Sequence, residues 1–332
     1  APPVRPSATP FTLSIPSLPM PASFSLPNYH GRTGARRWLS LVILAMSVPL
    51  RAARAAVHHL FEPPTLLRSS QQLEQLCNTR VQRADGGELL LYAARPSAGP
   101  ARLPVLLLLH EFFGLNEKIV EKADALAEEL GCLVLAPDTF RGVTTSFIPR
   151  AIWLTLSTPQ QRVNSDLDDV VRWAASQEYA DTRKLAVMGF CYGGGKAIRY
   201  TTQARPNAAT VIFYGSPILD VEELRRLRAP VLAVYGVDDP QFPQRTIMKF
   251  REALADSGIE HEVMSYNGVG HAFWKNMEQV KREEMPVIAA YRLTTNFLGG
   301  YFRGDESFAS KRDFLEFLLA QEVESGEGET QA

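Results

Sequence analysis

The sequence predicts an α/β fold in a single domain, with a mostly parallel central sheet that carries helices on both faces. From about residue 80, short apolar runs alternate with helical patterns, which is typical of strands joined by crossover helices. Most of these runs have no polar side, as expected of strands buried on both faces. A chain of 332 residues with 45% apolar content is also long enough to bury a sizeable core.

The first half of this domain contains four predicted strands and two predicted helices. The first two strands form a hairpin at the turn Asp85-Gly86-Gly87, within "RVQRADGGELLLYAARP". Two apolar strands follow, "LPVLLLLHE" and "CLVLAPD", and each precedes a helix. We expect these helices over residues 116–130 and in "NSDLDDVVRWAASQ", where Asn164 or Ser165 would cap the second one.

The second half supplies four further strands, "KLAVMGF", "ATVIFYGSP", "APVLAVYGVDD" and "HEVMSY". The helical pattern "YGGGKAIRYTTQ" follows the first of them, and another helix is predicted over 243–257, between the last two. Closing helices are predicted over 280–297 and 312–319. In a sheet of this kind, ligands bind beyond the carboxyl ends of the strands, so the functional residues are expected in the loops that follow them.

The N-terminus has the composition of an organelle transit peptide. No acidic residue precedes Glu62, whereas six arginines do, and the segment is rich in serine and proline. The pair Arg36-Arg37 precedes an apolar run over 38–50 and then a small-residue site, which resembles a twin-arginine signal. We therefore expect a chloroplast protein, more specifically one of the thylakoid lumen, with the mitochondrion or the cytoplasm as alternatives. The expected segments are a targeting segment over 1–55, a linker or N-terminal extension over 56–78, the domain over 79–322 and an acidic disordered tail over 323–332.

The composition also argues against several function classes. The apolar N-terminal run is thirteen residues long, shorter than the ~18 to 20 residues that cross a bilayer, so we expect no membrane span in the mature protein. Six of the 35 basic residues lie in the N-terminus, which leaves 29 against 36 acidic residues and no basic excess to bind nucleic acid. The three cysteines lack metal-ligand spacing and are odd in number, so neither a metal site nor a disulfide framework is indicated.

One of these cysteines occupies a position that favours catalysis. In "MGFCYGGG", residues 188–195, the pattern glycine, variable residue, Cys191, variable residue, glycine lies after a strand and opens a helix. This is the form of a nucleophile elbow, in which a strained turn presents the nucleophile at the edge of the sheet. The backbone N–H of Tyr192 would lie at the helix N-terminus and could stabilise an anion. The alternative is a small buried cysteine beside a packing glycine.

The order of polar residues downstream favours the catalytic interpretation. Asp238 and Asp239 follow the strand "APVLAVYG", and His271 follows the strand "HEVMSY" and its turn. Nucleophile, acid and histidine, each in a loop after a strand, follow the chain order of the alpha/beta-hydrolase triad. We favour Asp239 as the acid, with Asp238 as the alternative one residue away.

The chain resembles the dienelactone hydrolase (carboxymethylenebutenolidase) family of the alpha/beta-hydrolase superfamily. The resemblance rests on "HEFFGLNEKIVEKADALAEELGCLVLAPD", "MGFCYGGG", "FYGSP", "GVDDPQFP" and "GVGHAFW", and it covers about residues 79 to 300. It implies a cofactor-independent carboxylic ester hydrolase that cleaves a small lactone or ester through a thioester acyl-enzyme. By position, it implies a triad of Cys191, Asp239 and His271, Glu111 as an additional carboxylate near the thiol, and an oxyanion hole from the N–H groups of Phe112 and Tyr192.

The resemblance is weaker where substrate would bind. Family members hold a substrate carboxylate with two arginines; here Arg141 is shifted by about one residue, and Lys275 stands in the second position. A lysine supplies a point charge where an arginine supplies a two-pronged donor. Both cations are equally well explained as solvated surface residues. Tyr214 and Trp274 are expected to line the pocket, and the segment 144–158 to form part of its cover.

Two other functions remain open at this stage. One is a general carboxylesterase or thioesterase that acts on neutral substrates, which the absence of arginine at position 275 favours. The other is a non-catalytic protein that uses the same fold and thiol for binding or redox sensing. A monomer is expected, with a small and possibly anionic ester or lactone as its ligand and no nucleic-acid partner.

Overall fold

The computed structural model describes residues 71–305, and within them eight strands form one sheet. Its order is β1-β2-β4-β3-β5-β6-β7-β8. The strands are β1 (Thr79–Gln82), β2 (Glu88–Ala94), β3 (Leu103–Leu109), β4 (Leu133–Pro137), β5 (Ala180–Phe190), β6 (Ala209–Phe213), β7 (Val231–Gly236) and β8 (His261–Tyr266).

The sheet is mostly parallel, as the apolar runs predict. β1 and β2 form an antiparallel pair at one edge, and β2 pairs antiparallel with β4. From β4 across to β8 every neighbouring pair is parallel. The carboxyl ends of these six strands therefore meet at one edge of the sheet, where the loops after β3, β5, β7 and β8 are brought together.

Helices cover both faces of the sheet. Leu106 of β3 packs in one core cluster with Leu126, whereas the next residue, Leu107, packs in another with Val170. Because successive side chains of a strand point to opposite faces, these two clusters lie on opposite sides of the sheet. The helices are α1 (Glu117–Leu130), α2 (Ile148–Ser157), α3 (Gln160–Ala175), α4 (Tyr192–Gln203), α5 (Val221–Leu224), α6 (Gln244–Ser257), α7 (Glu278–Lys281) and α8 (Val287–Arg303).

One helix begins as predicted and another does not. α1 begins as predicted, because the Asn116 side chain accepts a hydrogen bond from the N–H of Lys118 at 3.1 Å. The prediction that Asn164 or Ser165 caps α3 is wrong: the helix begins at Gln160, and Asn164 lies inside it. Its first turn is polar, so the apolar periodicity starts after the helix does.

The predicted helix over 280–297 is two helices, α7 and α8, with Pro286 immediately before the second. Proline lacks an N–H and cannot continue the hydrogen-bond pattern of a helix that precedes it. The targeting segment over 1–55, the tail over 323–332 and the helix predicted over 312–319 lie outside the described residues. Between residues 71 and 305, none of the helices has the length and apolar character that a membrane crossing requires.

Candidate active site

Cys191 occupies the sharp turn between β5 and α4. Its backbone has φ 52° and ψ −112°, in the positive-φ region that side chains rarely adopt. The turn is possible because glycines stand on either side: a Cβ on Gly189 would lie 2.2 Å from the Gly193 carbonyl, and a Cβ on Gly193 would lie 2.4 Å from the oxygen of Leu109. The thiol is half-buried and is not sealed within the core.

The structure brings Cys191, His271 and Asp239 into hydrogen-bonding contact. His271 Nε2 lies 3.1 Å from Cys191 Sγ, and His271 Nδ1 lies 2.8 Å from Asp239 Oδ2. Asp239 is buried after β7, and its other carboxylate oxygen accepts the N–H of Gln241 at 2.8 Å. Asp238 is exposed, so it is Asp239 that faces the imidazole. This arrangement can pass a proton between sulfur and imidazole while the carboxylate holds the ring.

The surroundings of His271 favour its protonated form. Burial lowers the pKa of the imidazole, but the hydrogen bonds to Asp239 and Cys191 and their negative charges outweigh it and raise the pKa to about 10. At neutral pH the ring therefore carries a positive charge next to Sγ.

Glu111 follows β3 and lies beside Tyr214. The Tyr214 hydroxyl donates to Glu111 Oε1 at 3.4 Å, and the Tyr214 ring meets the His271 ring edge-to-face at 5.2 Å. Burial raises the pKa of Glu111, while the positive charges of Lys122 and His271 oppose that rise. Among the residues that the structure describes, the hydrogen-bond partner of Sγ is His271, so the carboxylate is near the triad without being bonded to the thiol.

The two expected oxyanion donors lie on adjacent loops. Tyr192 is the first residue of α4, where an N–H has no acceptor within the helix, and Phe112 follows Glu111 in the turn after β3. These loops are in close contact, because Gly193 approaches the backbone of both Leu109 and His110. The N–H groups of positions 112 and 192 therefore come from neighbouring segments at the same edge of the sheet.

The fold and this edge of the sheet can now be compared with known proteins. A model of the dienelactone hydrolase family matches residues 90–302, which is more than half of the chain. This chain belongs to the dienelactone hydrolase family. It is therefore a hydrolase with the alpha/beta-hydrolase fold, and the matched residues include every candidate site residue named above.

Two bacterial relatives support the assignment of this chain to the dienelactone hydrolase family. The Salmonella typhimurium protein named "Putative carboxymethylenebutenolidase" is 34% identical over 204 residues, which cover 57% of this chain and 75% of the relative. A Yersinia pestis protein of the same name is 32% identical over 233 residues, covering 66% of this chain and 85% of the relative.

Solved structures show the same fold. The crystal structure described as "Putative Dienelactone Hydrolase" from Klebsiella pneumoniae superposes with a TM-score of 0.59 at 28% identity, covering 66% of this chain and 96% of that one. The Pyrococcus horikoshii acylaminoacyl peptidase superposes with a TM-score of 0.57 at 15% identity, covering 71% of this chain and 43% of that one. The second likeness concerns the fold alone.

Arg141, about one residue away from a family arginine position, has partners within the protein itself. Two nitrogens of Arg141 donate to the carboxylate of Asp166 at 3.0 and 2.6 Å, and a third donates to Asp85 at 3.3 Å. The guanidinium is therefore engaged with two carboxylates of the protein itself. Lys275 has an exposed side chain, as a solvated surface cation would. Neither observation assigns a substrate carboxylate to these two residues.

The two aromatics expected in the pocket lining are both buried. Trp274 packs edge-to-face on Phe190 and Phe213, and its place in the pocket lining stays a prediction. Tyr214 is also fully buried and reaches the site through its hydroxyl, which contacts Glu111. The segment 144–158 contains α2, whose apolar side chains Trp153 and Leu154 pack in one cluster with the loops that carry Phe112 and Tyr192. We call this cluster the apolar wall; its residues are Phe112, Phe140, Val143, Trp153, Leu154 and Tyr192.

Sequence reasoning missed one buried cation behind the site. Lys122 of α1 is 1% exposed, and its Nζ donates to the carbonyl of Lys275 at 3.4 Å. The same ammonium lies 5.0 Å from the ring centre of Phe190 and 5.5 Å from that of Trp274. Burial lowers the pKa of Lys122 to about 8, and the charge of Glu111 opposes this shift. The spacing of Lys122 from Leu126 could have indicated its position, because residues four apart share a helix face.

Proposed function

We propose that this chain hydrolyses a small ester or lactone through a Cys191 nucleophile. The observation that carries the proposal is the continuous contact from Sγ to His271 and from His271 to Asp239, at 3.1 and 2.8 Å, on a strained elbow. The names of the bacterial relatives support an ester bond in a ring, the bond that a carboxymethylenebutenolidase opens.

In the proposed reaction, the Cys191 thiolate attacks the carbonyl carbon, and the carbonyl electrons move onto the oxygen. The resulting oxyanion accepts hydrogen bonds from the N–H groups of Phe112 and Tyr192. As the tetrahedral intermediate collapses, the bond to the leaving oxygen breaks and that oxygen takes the proton of His271. For an open-chain ester, the products of this half are a thioester on Cys191 and a free alcohol. For a lactone, the new hydroxyl stays on the acyl chain that is bound to Cys191.

In the second half, neutral His271 removes a proton from water, and the hydroxide attacks the thioester carbon. The same oxyanion donors stabilise the second intermediate, which expels the thiolate and releases the carboxylic acid. Asp239 keeps the imidazole oriented throughout and stabilises its positive charge. Glu111 adds a carboxyl group next to Tyr214, and we propose that it influences the charge balance around His271 without bonding to Sγ in the resting state.

A second candidate is a carboxylesterase or thioesterase that acts on neutral substrates. Two observations favour it: the donors of Arg141 are directed at Asp166 and Asp85, and an apolar wall that includes Trp153 and Phe112 packs next to the site. Neither feature offers a fixed positive charge to an anionic substrate.

The test compares p-nitrophenyl acetate with a dienelactone as substrates for the wild type and for Cys191→Ala. We expect the wild type to hydrolyse at least the activated ester and the variant to lose this turnover. A matched pair, Asp239→Asn and Asp238→Asn, tests the acid: the first should lower kcat/KM by ~100-fold or more, and the second by less than about twofold. Undiminished turnover in Cys191→Ala would contradict the nucleophile, and an inert wild type would favour a thiol-based sensor. If the wild type shows no preference for the dienelactone, which carries a carboxylate, the second candidate function, on neutral esters, is favoured.

A further inference from the structure

His110, which immediately follows β3, has both ring nitrogens engaged. It is fully buried, its Nε2 lies 3.2 Å from the backbone N of Thr139, and its Nδ1 lies 2.7 Å from the carbonyl oxygen of Glu111. A backbone N–H can only donate and a carbonyl can only accept. Nε2 therefore carries no hydrogen, and Nδ1 carries the hydrogen that it donates to Glu111. Burial lowers the pKa of His110 to about 4, which keeps the ring neutral at physiological pH.

The bond from Nδ1 constrains a peptide group that the proposed reaction uses. The carbonyl of Glu111 and the N–H of Phe112 belong to the same planar peptide and point in opposite directions. His110 holds that carbonyl on one side, and the N–H of Gly114 also donates to it at 3.1 Å. The direction of the Phe112 N–H is therefore fixed by what the carbonyl accepts.

The other side of the His110 ring reaches the second oxyanion loop. The Thr139 hydroxyl lies 2.9 Å from Nε2 and 3.3 Å from the hydroxyl of Tyr192. Because Nε2 has only a lone pair to offer, Thr139 donates to it and so accepts from Tyr192. The rings of His110 and Tyr192 are also stacked, with centres 5.7 Å apart and planes at 17°. One buried side chain thus contacts Tyr192 and the Glu111 carbonyl, whose peptide group carries the Phe112 N–H.

We propose that His110 is a positioning residue of the oxyanion hole: its Nδ1–H tautomer holds the Glu111–Phe112 peptide with the N–H turned toward the substrate oxygen. His110 itself does not exchange protons with substrate, since both of its nitrogens are engaged and the ring is excluded from solvent. This inference rests on the proposed function, because the hole matters only if an oxyanion forms.

The test uses two variants of nearly equal size, His110→Asn and His110→Leu. Both remove the Nε2 acceptor of Thr139, but the asparagine amide takes the place of Nδ1 and can still donate to the Glu111 carbonyl. With p-nitrophenyl acetate, we expect His110→Leu to lower kcat by about 30-fold or more, with KM changed by less than about threefold, because an oxyanion donor acts mainly in the transition state. His110→Asn should keep kcat within about fivefold of the wild type. Equal losses in the two variants, or no loss in either, would overturn the proposal.

A second measurement does not depend on how the variants fold. In wild-type protein with ¹⁵N-labelled histidine, the His110 ring should show one protonated nitrogen, Nδ1, and one unprotonated nitrogen, Nε2, from pH 5 to 8, with the signal assigned by its loss in His110→Asn. A protonated Nε2 would overturn the proposal. An active His110→Leu would contradict the role of His110 and leave the hydrolase function standing, whereas an inert wild type would contradict the hydrolase function and with it the role of His110, even with this tautomer present.

Discussion

The two cations expected to bind a substrate carboxylate, Arg141 and Lys275, differ in what surrounds them. Arg141 is the partner of Asp166, whose side chain is completely buried, whereas Lys275 extends from the surface. Removing one member of a largely buried ion pair leaves the other charge without a partner in a poorly solvated place, and this typically costs about 3–5 kcal/mol. The two residues should therefore respond differently to substitution.

We expect Arg141→Ala to lower the free energy of unfolding by about 3 kcal/mol and Lys275→Ala to leave it unchanged within about 0.5 kcal/mol. Urea unfolding of both variants measures this. Activity of the folded fraction separates the two roles of Arg141, because a stable Arg141→Ala protein with a raised KM for an anionic lactone alone would show that the arginine binds substrate.

The sequence could predict which residues meet at the site because chain order fixes the strand that each one follows. Cys191, Asp239 and His271 come after β5, β7 and β8, and parallel strands bring those ends together. Their chemical roles stay predictions. Chain order could not predict the ion pair of Arg141 with Asp166 or the burial of Trp274. Both depend on which side chains the folded chain places next to them.

At the scale of elements, the turn from β5 to α4 requires two glycines for reasons of space. The segment after β3 packs so closely on α4 that any side chain at Gly193 would overlap backbone atoms of Leu109 and His110. Backbone atoms cannot rotate away as a side chain can, so relief would require a shift of β3 or α4. Gly258, at the end of α6, differs in that it has φ +74° but open space around it.

Gly193→Ala should therefore destabilise the protein far more than Gly258→Ala. For the second variant we expect about 1 kcal/mol from the unfavourable φ alone. For the first we expect the free energy of unfolding to fall by more than about 3 kcal/mol and activity to be lost, because the overlap displaces the loops that carry Phe112 and Tyr192. Thermal unfolding and ester hydrolysis measure both effects. A Gly193→Ala protein of normal stability and activity would mean that the loops are not packed as described.

The sequence predicts the strands of the sheet more accurately than it predicts where the helices begin and end. All eight predicted strands are present. For central strands such as β3 and β6, an uninterrupted apolar run indicates burial on both faces directly. α3 begins before its first apolar residue, at Gln160, where the chain offers no side-chain cap. Nothing in the local pattern distinguishes such a polar first turn from a loop.

At the scale of the whole molecule, a buried lysine carries a stability cost that changes with pH. The pKa of Lys122 is about 8 in the folded chain, against 10.5 for an ordinary lysine. Between these two values the unfolded chain binds more protons than the folded one, so the free energy of unfolding rises with pH across this window. Below pH 8 both states are charged, and the cost of burying the charge is present in full.

Lys122→Met removes that cost while keeping an unbranched side chain. We expect the variant to be more stable than the wild type at pH 7, and this advantage to shrink by roughly 1–3 kcal/mol between pH 8 and 10.5. Urea unfolding of both proteins across this pH range measures the difference in their free energies of unfolding. Groups that titrate equally in the wild type and the variant cancel in this difference. A constant difference would show that Lys122 is not held in a poorly solvated environment.

The three cysteines of the chain differ in their readiness to react with electrophiles. Burial raises the pKa of Cys77 to about 12 and that of Cys132 well above its ordinary value, whereas Cys191 lies half-buried at the elbow, 3.1 Å from His271. Thiolates, and not thiols, are alkylated or oxidised, so the first two cysteines should resist both reactions. We therefore expect one equivalent of an alkylating reagent at neutral pH to modify Cys191 in preference to Cys77 and Cys132. For the same reason, peroxide should oxidise Cys191 before the other two.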